Sequence, residues 1–416
     1  MKKKSYTLLL MFLAAAVALA AIKNLRLERP EAGSARSSAY TENKVGNQSS
    51  PSYIDEKAES GDLLVGVWIP YMSLQADGTE NGFKTNFDEK LCAAVNVGAN
   101  AVFVHVRSFA DSMYPSSIEP WSHILTGTQG KDPGFDPLEY MLQRTHEAGL
   151  AFHAWINPLR ISTGVTPEKL SENSFYVRNR EKNPHFFMEY EGGIYYNPAV
   201  SDVRERIADV TAEIAERYDV DGIHFDDYFY PAAVEALDSS SYKAYTDRAD
   251  VPLPLEDWRE ANINALISTV YQKIKRVNSN VIFGISPQGN PENNKRIGAD
   301  VYTWCAQNGY IDYICPQLYY SFANSTLPFE NALQTWTEMP RAEGVDLYIG
   351  LAVYKAGTDA DDGTWLNSDR NIAKQIELSA EGGADGIVLY AVDHLDDDTV
   401  RIEMQNAEEA IGRWVS

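Results

Sequence analysis

The sequence predicts a closed (β/α)8 barrel with long loops after strands 2 and 3, and three observations carry that expectation. From residue 62 onward, a short β-branched or aromatic run followed by a helical stretch recurs along the chain, and such alternation implies a parallel sheet. The strand-like runs number eight, which suits closure into a barrel better than an open doubly wound sheet. No glycine-rich phosphate loop follows the first run, which argues against a dinucleotide-binding fold.

The strands are expected at LLVGVWIPY (63–71), AVFVHVRSF (101–109), LAFHAWINP (150–158), DGIHFDDY (221–228), VIFGISP (281–287), IDYICPQLYY (311–320), DLYIGLAVY (346–354) and DGIVLYAVD (385–393). Helices fill the intervals. NFDEKLCAAVNVG reads as opening on an Asn86 cap. DPLEYMLQRTHEAG pairs Asp136 as N-cap with Pro137 in the first turn and Gly149 at the end, the expected asymmetry of helix termini. DVRERIADVTAEIAERY, LEDWREANINALISTVYQKIKRV, FENALQTWTEMPRAEG and NIAKQIELSAEGG place apolar residues at helical spacing. Two connections, 108–135 and 159–200, are too long for plain loops. Both leave the C-terminal end of a strand, where barrel enzymes build their sites. Their aromatics (Tyr114, Trp121, Phe135; Phe186, Phe187, Tyr190, Tyr195, Tyr196) suit a cleft that grips sugar rings.

Ahead of this domain (62–416) lie two other segments. MKKK followed by an apolar run to Ile22, with Ala18-Leu19-Ala20 as a cleavage site, reads as a signal peptide or uncleaved signal anchor over 1–22. Cleavage would remove three lysines and take the net charge from −23 to −26. No cysteine stands near the site, so a lipid-anchored form is not expected. Residues 23–61, rich in Ser, Glu, Asn, Ala and Gly, read as a disordered tether. A secreted or cell-surface bacterial protein is expected, touching a membrane only through a retained anchor. The acidic balance disfavours nucleic acid and anionic membranes as partners. The three cysteines, Cys92, Cys305 and Cys315, read as buried thiols, with a Cys305–Cys315 bridge as the alternative. Neither C-x-x-C nor H-E-x-x-H occurs, so no metal site is announced and no cofactor is expected.

Parity along each strand sorts the side chains, because successive residues point to opposite faces. On DGIHFDDY, Ile223 and Phe225 face the helices, which puts His224 and Asp226 inside and Asp227 at the turn into the loop. On the second strand His105 and Arg107 fall inside, with Asp111 just beyond. His153, Trp155 and Asn157 share one parity on the third strand, and Cys315, Gln317 and Tyr319 on the sixth. At least four strands thus end in polar or aromatic groups aimed at one place. An unpaired buried polar group costs about 1–3 kcal/mol, so this ending suits a cleft. A satisfied internal network is the alternative, and a helix N-cap is the plain role for one of the two aspartates.

Adjacent carboxylates cannot both ionise freely, and one pKa rises. That yields a protonated acid beside an ionised partner, as glycoside hydrolysis requires. Sequence neighbours at a strand end point in different directions, so they fit ordinary two-carboxylate schemes poorly. They fit substrate-assisted hydrolysis of an N-acetylhexosaminide better, with Asp226 orienting the acetamido group and Asp227 as acid. Asp111 is the main outside candidate for nucleophile or base, and Asp393 a weaker one.

The stretch from Asn100 to Arg160, which includes AVFVHVRSFADSMYP and LAFHAWINPLR, resembles the glycosyl hydrolase-like family 10, a barrel family of exported bacterial proteins. So do YDVDGIHFDDYFYP (218–231), DWREANIN (257–264), FGISPQGN (283–290) and IDYICPQLYY (311–320). The resemblance covers about 62–410 and implies a glycosidase fold acting on cell-envelope polysaccharide, in particular peptidoglycan glycan strands. Carried over by position, it marks Arg107, Asp111, His153, Trp155, Asn157, Arg160, His224, Asp226, Asp227, Tyr228, Gln317 and Tyr319. The family more often has Gln where His105 stands and Pro after Arg107. Substrate-binding roles are expected for His105, Arg107, His153, Trp155, Asn157, Arg160, His224, Tyr228, Gln317 and Tyr319. Arg107 and Arg160 suit the muramyl carboxylate. A monomer with a polysaccharide substrate is expected. Two readings compete: a non-catalytic carbohydrate-binding barrel, and a metal-dependent hydrolase or deacetylase in which His105, His153, His224 and Asp226 converge on an ion.

Overall fold

The computed structural model describes residues 63–415. The signal segment and tether expected over 1–22 and 23–61 lie outside the described residues. Eight parallel strands close into a barrel: β1 Leu64–Ile69, β2 Ala101–Arg107, β3 Ala151–Ile156, β4 Gly222–Phe225, β5 Ile282–Ile285, β6 Tyr313–Ile314, β7 Asp346–Ala352 and β8 Gly386–Tyr390. Each pairs with its sequence neighbours, and β8 closes on β1 through Leu64↔Gly386 to Val67↔Leu389. One principal helix follows each strand: α1 Glu80–Asn96, α2 Pro137–Glu147, α3 Ser201–Arg217, α4 Leu255–Val277, α5 Val301–Ala306, α6 Phe329–Thr337, α7 Asn371–Glu381 and α8 Arg401–Val415. Asp136 caps α2 by accepting from Glu139 N, and Pro137 opens the helix. α1 begins six residues before Asn86. Its cap is Thr79, which accepts from Gly82 N, while Asn86 lies mid-helix and donates to Ser73 O at 2.7 Å. Among the described residues no helix is long and apolar enough to cross a membrane.

The N-terminal end of the barrel is fastened by side-chain acceptors at strand starts. Asn100, Asp221, Asp312 and Asp385 each take a backbone N–H from a neighbouring strand: Val65, Phe152, Phe283 and Leu347, at 2.7–2.9 Å. This recurring Asp or Asn satisfies donors that the parallel ladder leaves open at its rim.

Inside the barrel, large rings sit over glycines on other strands, adjacent in three cases of four. A Cβ at Gly66 would lie 2.6 Å from the Phe103 ring, at Gly222 2.4 Å from His153, at Gly284 2.2 Å from Tyr313 and at Gly350 2.9 Å from Trp68. Alternating small and large residues fill the interior at crystal-like density. The outward set, including Val65, Val67, Ile223, Phe225, Phe283 and Ile285, packs under the helices.

The two long connections fold on themselves. Residues 159–200 carry a three-stranded antiparallel sheet of Arg160–Ser162, Gly193–Tyr196 and Phe187–Tyr190. Residues 108–135 are pinned to α3 by two buried carboxylates. Glu213 accepts from Ser117 N at 2.7 Å, and Glu119 accepts from Arg206 at 2.8 Å and from Arg107 at 3.0 Å. Tyr114, Phe186 and Tyr196 are buried inside these loops and serve their packing, not a sugar-facing wall as expected. All three cysteines are free; Cys305 and Cys315 are buried, but Cys92 is exposed, against the expectation of three buried thiols.

The glycine seats predict that Gly284→Ala, pressing on Tyr313, lowers stability by about 1–3 kcal/mol through overpacking. Its urea midpoint should fall with the m-value unchanged. An unaltered midpoint would mean the interior has slack.

Candidate active site

The site lies where β3, β4 and β6 end. Beyond Phe225 the chain keeps strand parity for one more residue, so Asp226 projects into the barrel mouth at 2% exposure. It accepts from Trp155 Nε1 at 3.1 Å, from Asn157 Nδ2 at 3.2 Å to both oxygens, and from Tyr228 N at 3.3 Å. Asn157 cannot turn, because its Oδ1 accepts from Arg160 N at 2.9 Å. Arg160 is held by Ser108 O at 3.0 Å among the rings of Phe109 (4.5 Å), Tyr228 (5.1 Å) and Tyr71 (5.7 Å).

Asp227 turns the other way. It is partly buried, and Gln317 donates to its Oδ1 at 3.3 Å. Gln317 is fixed in turn by Ser286 O at 3.0 Å, and Gln288 is a second donor to Asp227. Burial pushes Asp226 up to about 7, opposed by Arg160 and reinforced by Asp227. Burial raises Asp227 as well, against hydrogen bonds that include Gln317. The two therefore titrate as a pair.

Beneath them is a neutral network. His224 Nε2 accepts from Trp68 Nε1 at 3.2 Å, and its Nδ1 meets Tyr313 Oη at 3.0 Å. Tyr313 Oη also meets His153 Nδ1 at 3.2 Å. An imidazole that accepts at Nε2 carries its proton on Nδ1, so the chain runs Trp68→His224→Tyr313→His153. Desolvation lowers His153 to about 4 and His224 well below its usual value.

Of the residues singled out in the sequence, the structure brings together Asp226, Asp227, His105, Trp155, Asn157, Arg160, Tyr228 and Gln317. Tyr319 stands nearby against Tyr390 (5.7 Å) and Tyr354 (5.9 Å). His153 and His224 lie deeper, turned onto Tyr313 and away from the mouth. Arg107 is set apart from the cleft. A register shift between His105 and Arg107 reverses the parity, and the guanidinium bonds Glu119 and the carbonyls of Asn157 and Pro158. Asp111 is also apart, fully buried under its loop and bonded by His123 Nδ1, Gln129 Nε2 and Phe109 N. Burial raises its carboxyl, but the bonds from His123 and Gln129 outweigh that and leave it below the usual range. Asp393 bonds Ser73 and Lys90. The four residues of the metal reading do not converge, and among the described residues no group of three or more His, Cys, Asp or Glu is arranged to hold an ion.

Tyr71, Ser286, Gln288 and Tyr390 join the site without having been singled out. Extending strand parity to β5 and β8 would have found three of them: Gly284, Ser286 and Gln288 alternate, as do Val388 and Tyr390. Tyr71 shares the outward parity of Val65, Val67 and Ile69 and meets His105 only because the chain leaves the strand in a 3-10 turn. Fields of the aspartate pair reach Tyr390, which burial raises.

A parallel eightfold barrel with paired carboxylates at its C-terminal mouth belongs to the class that includes glycosidase barrels. The model of the glycosyl hydrolase-like 10 family matches residues 64–367, and the chain belongs to that family. Glycosyl hydrolase YngK of Bacillus subtilis (strain 168) is 37% identical over 305 residues, covering 68% of this chain and 58% of YngK. The chain thus matches little more than half the length of that relative. Glycosyl hydrolase DigH of Escherichia coli (strain K12) is 31% identical over 338 residues, 74% of this chain and 75% of DigH. Two solved structures share the fold. The β-amylase catalytic domain of Paenibacillus polymyxa has a TM-score of 0.60 at 12% identity, covering 86% of this chain and 100% of that one. The PgaB (BpsB) glycoside hydrolase domain of Bordetella bronchiseptica has 0.54 at 11%, covering 82% and 98%.

Because Asp226 ionises in the fold near 7 and in the unfolded chain near 3.8, the folded state holds the extra proton between those values. Its contribution to stability is full below about 4 and is lost as pH rises through about 7. Arg160 offsets that loss. Arg160→Met should therefore destabilise more at pH 8 than at pH 5 in urea titrations. An equal loss at both pH values would show that Arg160 acts through packing alone.

Proposed function

We propose that this protein is a glycoside hydrolase of cell-envelope polysaccharide, acting on the N-acetylhexosamine-containing glycan strands of peptidoglycan. The N-terminal segment would export it and hold it at, or release it from, the bacterial surface. The family supports the glycosidase class. The observation that carries the finer reading is the divergence of two neighbouring carboxylates. Asp226 is buried with both oxygens engaged, while Asp227 is partly open, tethered by Gln317 and Gln288.

In substrate-assisted hydrolysis, Asp226 accepts the acetamido N–H and holds the acetamido oxygen toward the anomeric carbon. That oxygen bonds the carbon as the glycosidic C–O bond breaks, and Asp227 gives its proton to the departing oxygen. Water then opens the cyclic intermediate at the same carbon and returns a proton to Asp227. Burial raises both carboxyls, so the pair keeps a proton more readily than free aspartates do. An arriving acetamido N–H favours charge on Asp226 and so places the proton on Asp227. The half-exposed Tyr228 ring offers a stacking face. Arg160 bonds backbone through Nε, and among the described residues its Nη atoms donate to no protein group, which leaves an edge for the muramyl carboxylate. No cofactor enters this chemistry, and one chain suffices for it.

Product analysis tests the proposal. Full-length protein is incubated with peptide-free glycan strands and with chitin oligosaccharides, beside Asp226→Asn and Asp227→Asn. Both variants should lose at least about a hundredfold in rate, the scale of general acid–base catalysis, with melting unchanged. The reducing-end sugar seen by mass spectrometry identifies the bond. Wild type that binds either glycan and cuts neither would favour a binding barrel. Normal cleavage by both variants would make the pair structural.

A further inference from the structure

His105 is 3% exposed, with its ring stacked on Trp155 at 3.5 Å and 15° and edge-on to Tyr71 at 5.5 Å. Its Nδ1 accepts from Tyr71 N at 3.4 Å. The neutral ring therefore carries its proton on Nε2. That Nε2 is buried and has no hydrogen-bond partner. Asp226 Oδ2 stands 4.0 Å away, just beyond hydrogen-bond reach. A buried donor left unpaired costs about 1–3 kcal/mol, and such exceptions in folded proteins call for an explanation.

We infer that His105 is a positioning residue for Asp226: a neutral Nε2–H donor that closes on Oδ2 when the carboxylate carries its charge. Trp155 fixes the geometry, because its Nε1 already donates to the same Oδ2 at 3.1 Å while its ring face carries the imidazole. Both donors thus converge on one oxygen. The ring itself is shielded from the cleft, so His105 acts through Asp226 and not on substrate. Burial, with Arg160 and His224 adding to it, keeps the imidazole neutral by lowering its pKa well below the usual value. The other titratable groups facing Asp226 are Asp227 beside it, Arg160 from the segment after β3, Tyr228 on its own turn and Tyr390 at the end of β8. Among these and His105, the imidazole is the one whose buried nitrogen is left without a partner.

The role in turnover rests on the glycosidase reading, whereas the coupling itself can be measured without substrate. Full-length protein labelled with ¹³C at aspartate carboxyls is titrated by NMR, with Asp226 assigned from Asp226→Asn. His105→Phe keeps a ring on Trp155 and removes the N–H; His105→Gln restores an N–H donor. The Asp226 midpoint should rise by about one pH unit in His105→Phe, the scale of losing a hydrogen bond to the charged form, and return toward wild type in His105→Gln. The alkaline limb of kcat/KM should follow the same order. Should the Phe variant fail to fold, His105→Met carries the same comparison. An Asp226 midpoint that does not move in the donor-less variant overturns the inference, as does a rise that Gln fails to reverse. Wild type that cleaves no glycan while the midpoints move as expected would sink the glycosidase reading and leave the coupling standing.

Discussion

A carboxylate taken almost wholly out of water has to be met by donors and a cation within a few ångströms, or it stays protonated. Asp226 is that group here, and the surrounding elements are arranged by its need. Much of the answer comes from one short span after the middle of β3, Trp155 to Arg160. Trp155 and Asn157 donate to the carboxylate, Asn157 accepts from Arg160 N, and Arg160 supplies positive charge from a seat between rings. Each contact restricts the next. Asn157 cannot flip without losing Arg160 N, and Arg160 cannot leave without losing Ser108 O. The compensation is still incomplete, which is why burial wins and the carboxyl titrates near neutrality.

The layer below sets the terms for this. Trp68, His224, Tyr313 and His153 form a hydrogen-bonded chain of neutral rings. The seats of His153, Tyr313 and Trp68 exist because Gly222, Gly284 and Gly350 yield space on other strands. A neutral floor adds no competing charge, so the field at Asp226 is set from above, by Arg160 and Asp227. The floor also steadies Asp227 indirectly. Ser286 touches His224 Nε2 at 3.2 Å through its hydroxyl and Gln317 through its carbonyl, so the amide that holds Asp227 is referenced to the barrel interior. The far end, with its rim of Asn100, Asp221, Asp312 and Asp385, is concerned with closing strands. The opposite end carries the aspartate pair, at the face where such barrels build their sites.

Much of this was legible in the sequence because period-two alternation fixes facing without knowledge of partners. Ile223 and Phe225 face the helices and His224 and Asp226 the interior, as alternation requires. It misled where the backbone breaks the period. The register shift before Arg107 turns that guanidinium toward Glu119, and no local pattern in HVRSF announces a bulge. Asp111 looked catalytic by proximity to a strand end. Its brace, His123 and Gln129, comes from the fold of its own loop, which sequence spacing does not reveal. The loop aromatics misled for a related reason: a long insertion needs a small core of its own, and Tyr114, Phe186 and Tyr196 supply it. Ser286, Gln288 and Tyr390 were readable by the same alternation, whereas Tyr71 has the outward parity of β1 and turns to His105 only after the strand ends.

The adjacency of Asp226 and Asp227 follows from where β4 stops. In a continuing strand, the residue after Asp226 would point to the helices and bury a carboxylate against the outer apolar layer. β4 has four residues, and the chain turns at Tyr228 N, which bonds back to Asp226. That turn swings Asp227 across to Gln317 and Gln288, beyond the ends of β6 and β5. Two chemically identical neighbours thereby receive different surroundings, one closed by donors and one open to the cleft. Arg160 lowers both, so the same cation that compensates the buried charge also resists a second proton on the pair. A short strand, a tight turn and one shared guanidinium together give two raised carboxyls unlike surroundings, the arrangement in which one carboxylate can accept while its neighbour donates.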